Sequence, residues 1–453
     1  MSSRPDSQRY LKLLEISQVM ERIRSAFQDY EPAIERVRLD EALGRVLAED
    51  IVAKEDLPPT TISAMDGYAV RHSAIVSAST SNPSEFQIKG ELYPKDVANS
   101  SLIPSIDSDG DAYYVATGAP IPAGCDVVAR IEDTRVDAEG RRVTISKDIP
   151  KWKNISLKGE DIHAGDLLFQ RRRILNSSDA ATMIGLGYRE VSGFATPRVG
   201  ILSIGSELVE FDPLKEHANR RTINNYSNLI AGYLSECGAT AVPLGVVEDD
   251  QDSISAKILS GIANCEMIIT IAGSSVGAKD YAPNALLALE NSKMLFHGVR
   301  AVPIRPAGLG VVGKSRAVAI LPGHAVSAAL AFFVVVLPVL NMLSGLEMDS
   351  RRVLLNATAE NEFYNDRAIE ALSLVHISRS DREKGKEQEE HGNKSQAGTE
   401  GIEYSATSLE WGSNLLSNLS KAHGFVWLAP HERISKSQRV KVQLLGSSEL
   451  LRI

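Results

Sequence analysis

Asp66 is the residue whose setting most clearly suggests chemistry. It lies in Leu57-Pro58-Pro59-Thr60-Thr61-Ile62-Ser63-Ala64-Met65-Asp66-Gly67-Tyr68-Ala69-Val70-Arg71. Two prolines fix an extended approach, Gly67 permits close backbone contact, and Tyr68-Ala69-Val70 resumes a strand-like alternation. A carboxylate at such a loop-to-strand junction presents its oxygens outward, although a Ser63-x-x-Asp66 spacing also suits a local backbone cap. Further on come Thr117-Gly118-Ala119-Pro120, Gly159-Glu160-Asp161, Gly205-Ser206-Glu207, Ala272-Gly273-Ser274-Ser275-Val276-Gly277, Asp280, Pro303-Ile304-Arg305-Pro306 and Pro322-Gly323-His324-Ala325. Gly- and Ser-rich loops at strand ends leave backbone N–H groups free to hold an oxyanion. Carboxylates beside an anion would repel it unless a hard cation stood between them.

Three other signals read as structure. Gly308-Leu-Gly-Val-Val-Gly313-Lys314-Ser315 matches the phosphate-loop spacing, but Arg316 to Leu321 is a strand where that motif needs a helix, so a hairpin turn is expected. Glu248-Asp249-Asp250 reads as a helix start before Ser253, and His324 as a cap at the start of a long helix. Arg171-Arg172-Arg173 reads as a solvated turn.

The elements that must position these residues follow from periodicity. Leu11, Leu14, Ile16, Val19, Met20 and Ile23 predict an amphipathic helix over Ser7 to Phe27, and a short one is expected over Asp40 to Leu47. Short alternating segments between Tyr68 and Val143 predict a small β-rich domain, 67–145, inserted in an elongated connector, 1–66 and 146–196. In the connector a strand is expected over Asp166 to Phe169 and a helix over Ser178 to Leu186. Strand candidates at Val199 to Ser203, Ala241 to Val247, Met267 to Ala272, Leu295 to Val302 and Ala317 to Leu321 alternate with helices, which predicts an α/β domain with a mostly parallel sheet, 197–347. A C-terminal β domain, 348–453, includes strands at Val353 to Ala357 and Val440 to Leu445, with a charged disordered loop over about 378–399.

Composition sets limits. With 453 residues, several domains are expected. The 49 basic and 58 acidic side chains leave a net charge of −9 without a basic run, which argues against a nucleic-acid partner. Three isolated cysteines suggest neither disulfides nor a thiolate zinc site and fit a reducing cytoplasm. The longest apolar stretch, Ala325 to Leu340, falls short of a membrane span and is expected to end at Pro338, so no membrane partner is expected.

In order and spacing, Ser63-Ala64-Met65-Asp66-Gly67-Tyr68-Ala69-Val70, Thr117-Gly118-Ala119-Pro120, Gly159-Glu160-Asp161 and Leu321-Pro322-Gly323 resemble the molybdopterin molybdenumtransferase family, whose eukaryotic counterpart is the gephyrin E domain. The resemblance spans nearly the whole chain. It implies a central molybdopterin-binding domain, a C-terminal β-barrel-like domain and a homodimer. The implied reaction is magnesium-dependent insertion of molybdate into adenylylated molybdopterin with release of AMP. The implied catalytic residues are Asp66, Thr117, Asp161, Glu207 and Asp280, with Asp66, Glu207 and Asp280 as magnesium ligands. The implied substrate-binding residues are Ser63, Gly118, Gly205, Ser206, Gly273, Ser274, Ser275, Gly277, Arg305, Pro306, Pro322 and Gly323.

The chain also departs from the family pattern. Ile204-Gly205-Ser206-Glu207 stands for Thr-Gly-Asp-Glu, and Ala272-Gly273-Ser274-Ser275 for Gly-Gly-Val-Ser. Pro303-Ile304-Arg305-Pro306 stands for Pro-Gly-Lys-Pro, and Pro322-Gly323-His324-Ala325 for Pro-Gly-Asn-Pro. Ile304 is therefore expected to hold a ligand away from the backbone while Arg305 offers it a planar fork. The alternative to an enzyme is a non-catalytic molybdopterin-binding or scaffold paralogue of the same fold.

Overall fold

The computed structural model describes residues 12–212, 222–273, 281–379, 403–446, 449 and 452–453. Of the charged disordered loop expected over about 378–399, Ser378 and Arg379 instead end the strand Glu370–Arg379 and the rest lies outside the described residues, as do Ser274, Ser275, Gly277 and Asp280. The chain falls into two compact units. One comprises Met1–Glu35, Gly44–Ala48 and Gly193–Ile453, and the other Arg36–Leu43 and Glu49–Ser192.

The first helix, α1, runs over Ile16–Phe27; Lys12 to Glu15 are not helical, and the expected start, Ser7 to Leu11, lies outside the described residues. Leu14 instead bridges to Val299, and the Glu15 N–H donates to the Gln18 side chain at 3.1 Å, a cap that fixes where the helix begins. Val19, Ile23 and Phe27, spaced four apart, are fully buried in the larger unit's core, each contributing about 1.5–3 kcal/mol. The short helix expected at Asp40 to Leu47 is a single 3-10 turn, Leu39–Glu41, because Gly44 at φ +76° turns the chain out of helix.

The smaller unit is built on a six-stranded sheet. Its strands are β1 (Gly67–Val70), β2 (Ser84–Leu92), β3 (Asp111–Val115), β4 (Val127–Arg130), β5 (Thr134–Val136) and β6 (Arg142–Ile145), in the order β4-β1-β3-β2-β6-β5. Alternation places Tyr68, Val70, Ala112, Val127 and Ala129 on one face and Ala69, Val115 and Val128 on the other, and each face buries its own apolar cluster. The connector strand is Leu167–Phe169. The helix α2, Ser177–Gly185, is capped by Asn176, whose side chain accepts from the Asp179 N–H.

In the larger unit, β7 (Arg198–Ile204), α3 (Tyr226–Glu236), β8 (Thr240–Val247), α4 (Gln251–Ile262), β9 (Met267–Ile271), α5 (Tyr281–Leu287), β10 (Ser292–His297), β11 (Gly308–Val312) and β12 (Arg316–Leu321) form a sheet in the order β8-β7-β9-β12-β11-β10. The first four strands are parallel, and β11 and β10 add antiparallel. Lys314 and Ser315 sit in the β11–β12 hairpin turn, so the phosphate-loop spacing is coincidental. The strand expected over Leu295 to Val302 breaks after His297, where Gly298 takes φ +115°. Ala301–Val302 then pairs with Glu370–Ala371 of the next sheet.

The helix α6, Ala325–Leu343, runs through Pro338 instead of ending at it. A π-helical turn, Phe332–Val336, lies just before the proline and resets the hydrogen-bond ladder, so the missing proline N–H falls at the start of a new α segment. By length and composition alone α6 could cross a membrane, yet 94% of it is buried by the protein's own core.

The C-terminal strands β13 (Leu354–Ala359), β14 (Glu370–Arg379), β15 (Tyr404–Ser408), β16 (Gly424–Leu428) and β17 (Arg439–Leu444) pair in the cycle β14-β15-β13-β17-β16-β14. The sheet closes on itself as a five-stranded barrel, which leaves no free edge in that cycle.

Candidate functional site

In the smaller unit the Asp66 loop is fixed from both sides. The Ser63 N–H donates to the Ala119 carbonyl at 2.8 Å, and the Gly118 N–H donates to the Ser63 carbonyl at 2.7 Å, so the Asp66 and Thr117 loops are laced together before any side chain takes part. Gly118 has φ +82°, a left-handed turn that suits glycine. Ser63 is buried, and its hydroxyl donates to the Met65 carbonyl at 2.6 Å, so it shapes the loop instead of facing solvent. Gly67 is required by close approach, since a Cβ there would stand 2.1 Å from the Ala129 carbonyl oxygen.

The exposed Asp66 carboxylate accepts from the Thr117 N–H at 2.6 Å and from its hydroxyl at 2.9 Å, both through Oδ1. These two donors hold the Asp66 pKa below the usual carboxylate value, and the backbone N–H is the larger cause. The carboxylate is thus a fixed anion whose Oδ2 remains available. The local Ser63-x-x-Asp66 cap does not form, since the Ser63 hydroxyl bonds Met65 and the backbone N–H that Asp66 accepts is that of Thr117.

Asp161 is placed differently. Its N–H donates to the Leu57 carbonyl at 3.1 Å, whereas Ala64, next to the Asp66 loop, bonds to Asn154. Ser63 pairs with Ile155 and Ile62 with Ser156 in an antiparallel ladder, so Asp66 and Asp161 extend from its opposite ends. No hydrogen bond joins Asp161 to the Asp66–Thr117 pair.

In the larger unit the register aligns three loops. Ser203 of β7 pairs with Ile271 of β9, and Ile271 pairs with Leu321 of β12. Gly205-Ser206-Glu207, Ala272-Gly273 and Pro322-Gly323 therefore leave the carboxyl ends of three adjacent parallel strands side by side. The chain runs from β7 outward to β8 and then back to β9, so the β7–β9 gap is the topological switch point where such sheets bind ligands.

The loop after β7 has its own supports. Ser203 and Asn224 are buried, and the Ser203 hydroxyl donates to Asn224 Oδ1 at 3.0 Å while Asn224 Nδ2 donates to Glu210 at 3.3 Å. Ile204 pairs with Val247, so Ser206 and Asp249 extend in parallel beyond their strands, and the Ser206 N–H and hydroxyl donate to Asp249 Oδ2 at 3.2 and 3.4 Å. Sequence reasoning missed Asn224 and took Asp249 only as part of a helix start. The helix cap itself is Asp250, which accepts from the Ser253 N–H at 2.8 Å. In-register strand ends would have exposed the Ser206–Asp249 pair, but spacing alone does not.

The exposed Glu207 folds its carboxylate over Gly205, where a Cβ would stand 2.9 Å from both of its oxygens. Ala272 holds φ +71°, a left-handed conformation that costs a non-glycine residue about 1–2 kcal/mol. Gly323 is needed beside it, since a Cβ there would lie 2.9 Å from that of Ala272. His324 occupies the N-cap position of α6, but its side chain makes no capping bond. The Val326 N–H is already taken by the Ser413 carbonyl, which leaves that helix end fewer free donors.

Ile304 overturns its expectation. It is fully buried in the core of the larger unit, so it cannot hold a ligand off the backbone. The cause is a tight turn in which the Val299 N–H bonds the Arg305 carbonyl and the Ala307 N–H bonds the Ile304 carbonyl, aiming position 304 inward and Arg305 outward. Pro306 is half-buried at the end of this turn, and Pro322 is buried.

Among the described residues no group of three or more His, Cys, Asp or Glu side chains could hold a metal. Asp66 and Glu207 nonetheless offer exposed hard-oxygen donors. Each by itself is the kind of hard-oxygen donor that magnesium takes alongside water and phosphate oxygens.

The comparisons with known proteins agree with this architecture. The family described as "MoeA N-terminal region (domain I and II)" matches residues 14–187, and "Probable molybdopterin binding domain" matches residues 200–342. A molybdopterin molybdenumtransferase of Staphylococcus epidermidis is 31% identical over 267 residues, covering 59% of this chain and 61% of that protein. One from Staphylococcus aureus is 32% identical over 276 residues, covering 61% and 63%. The match thus spans about three fifths of the length of these curated relatives. The molybdopterin biosynthesis moeA protein of Pyrococcus horikoshii shares the fold with a TM-score of 0.74, at 24% identity, covering 96% of this chain and 100% of that one. With these two family regions in this order over residues 14–187 and 200–342, the chain belongs to the MoeA family.

Proposed function

We propose that the protein is a molybdopterin molybdenumtransferase, which inserts molybdate into adenylylated molybdopterin and releases AMP. The observation that carries this reading is the Asp66–Thr117 pair, an ionised carboxylate fixed by two hydrogen bonds of 2.6 and 2.9 Å, in a chain matched by both family domains. Thr117 orients Asp66. Gly118 and the buried Ser63 keep the loop in shape, and Asp161 belongs to the same unit at the far end of the Ser63–Ile155 pairing. In the larger unit the substrate-binding residues are Gly205, Ser206, Gly273, Arg305, Pro306, Pro322 and Gly323, together with Ser274, Ser275 and Gly277 outside the described residues.

Magnesium would be held by Asp66, Glu207 and Asp280, and when bound it would neutralise phosphate and molybdate charge beside those carboxylates. The protein would act as a homodimer in the cytoplasm. The test is to incubate the protein with adenylylated molybdopterin, molybdate and magnesium and to measure AMP. Release that falls by about a hundredfold or more in Asp66→Asn and Asp280→Asn supports the reading. Tight pterin binding without any AMP would mark the protein as a scaffold of the same fold.

A further inference from the structure

The register around Asp66 carries a second set of side chains to the same end of the same sheet face. Tyr68 of β1 pairs with Tyr114 of β3, and Tyr114 pairs with Glu91 of β2. Residues two apart share a face, so Asp66 and Tyr93 lie one step further along, flanking the Tyr68–Tyr114–Glu91 row. The rings meet accordingly. Tyr68 and Tyr114 are edge to face at 5.7 Å between centroids, and Tyr93 and Tyr114 are tilted at 6.2 Å. Tyr68 is buried, Tyr114 is half-buried and Tyr93 is 39% exposed. The Tyr93 hydroxyl donates to Glu91 Oε2 at 2.6 Å and fixes that carboxylate. Burial first, then the charges of Asp66 and Glu91, push the Tyr114 phenol pKa up, so it remains a neutral ring beside two carboxylates.

We propose that Tyr114, Tyr93 and Glu91 form the seat for the pterin ring of the substrate, with Glu91 accepting the paired N–H donors of its 2-aminopyrimidinone edge. The inference rests on the transferase reading and names residues that this reading does not use. Charge selects the occupant. The three carboxylates around the rings, Glu91, Asp66 and Asp96, outnumber the Lys95 ammonium that lies 5.7 Å over Tyr93, so the surplus negative charge disfavours a phosphate here. An adenine edge alternates donor and acceptor, and its ring nitrogen would face carboxylate lone pairs. A 2-aminopyrimidinone presents two adjacent donors, which a carboxylate accepts side by side. The exposed tyrosine surface supplies a flat apolar contact for the bicycle.

The test uses the full-length protein and two probes, 6-hydroxymethylpterin followed by its fluorescence and AMP followed by calorimetry. Glu91→Gln and Tyr114→Leu should each weaken pterin binding about tenfold or more, the scale of losing one charged hydrogen bond. Tyr114→Phe should stay within about threefold of the parent, and AMP affinity should hold within about twofold in every variant. Should Tyr114→Leu lower the melting temperature, the exposed Glu91→Gln decides alone. Unchanged pterin affinity in Glu91→Gln, a loss confined to AMP, or a parent that binds no pterin would each overturn the seat. Failure of the transferase reading is seen separately, as absent AMP release with Glu91-dependent pterin binding intact.

Discussion

The Asp66 loop of the smaller unit and the strand-end loops of the larger one solve the positioning problem in opposite ways. Around Asp66 the family's residues are kept, and each has a partner that needs that side chain or its absence: Thr117 for the carboxylate, Met65 for Ser63, and the Ala129 carbonyl for the bare Gly67. After β7, β9 and β12 the residue types drift, yet Gly205, Ala272, Gly273 and Gly323 keep the backbone course. The difference shows where identity matters. A single carboxylate aimed by hydrogen bonds tolerates no change in its donors, whereas an anion cradle of backbone N–H groups constrains only conformation.

The strongest way to break this comparison is Ile304→Gly. If position 304 belonged to the ligand-facing loop, restoring the family's glycine would leave stability untouched. Because the side chain is fully buried, the substitution is expected to cost about 3–5 kcal/mol, read as a lower urea midpoint. Gly67→Ala comes next. It drives a methyl to 2.1 Å from a backbone oxygen, so a loss of about 1–3 kcal/mol is expected by the same measurement, and an unshifted midpoint would show that β1 can move off β4.

Acid sharpens the contrast between groups held by burial and groups held by exposed hydrogen bonds. In the barrel of the larger unit, His423 is buried and its Nδ1 accepts from the Ile377 N–H at 2.9 Å. Burial, then the neighbouring His376 and Arg452, push its pKa down to about 4 from an ordinary 6.5. The unfolded chain therefore binds a proton that the folded one refuses, so this stability is fully present above pH 6.5 and is lost as pH falls towards about 4. His423→Gln, which keeps an acceptor for Ile377, should flatten the melting temperature across that window. An equally steep profile in the variant would move the acid sensitivity elsewhere.

The smallest effect expected is a gain. Ala272→Gly relieves a left-handed alanine and should stabilise by about 0.5–1 kcal/mol after the entropy of the freer unfolded chain is subtracted. It should also soften the cost of Gly323→Ala, whose added Cβ meets that of Ala272 at 2.9 Å. Strict additivity in that double-mutant cycle would show that the two loops do not touch.

The sequence by itself determined the periodic elements and the local chemistry. Strand candidates such as Val199 to Ser203 and Ala317 to Leu321, taking turns with helices, pointed to parallel strands, and a strand after Lys314 ruled out a phosphate loop. Four short motifs led to the family, and the turn at Asp66 was legible because its signals are local: prolines before it and a glycine after it, whereas the bond to Thr117, 51 residues on, is tertiary. Tertiary structure decided the rest. Ile304 points inward because a turn closes through Val299 and Ala307. Ser206 finds Asp249 across a strand register that spacing along the chain does not reveal. Pro338 stays inside a helix because a π turn precedes it, and the barrel closes because β16 meets both β14 and β17. The Ser206–Asp249 pair and the barrel depend on which strands neighbour one another, and that is set by the burial of whole faces, a sum over the core that no short stretch of residues carries.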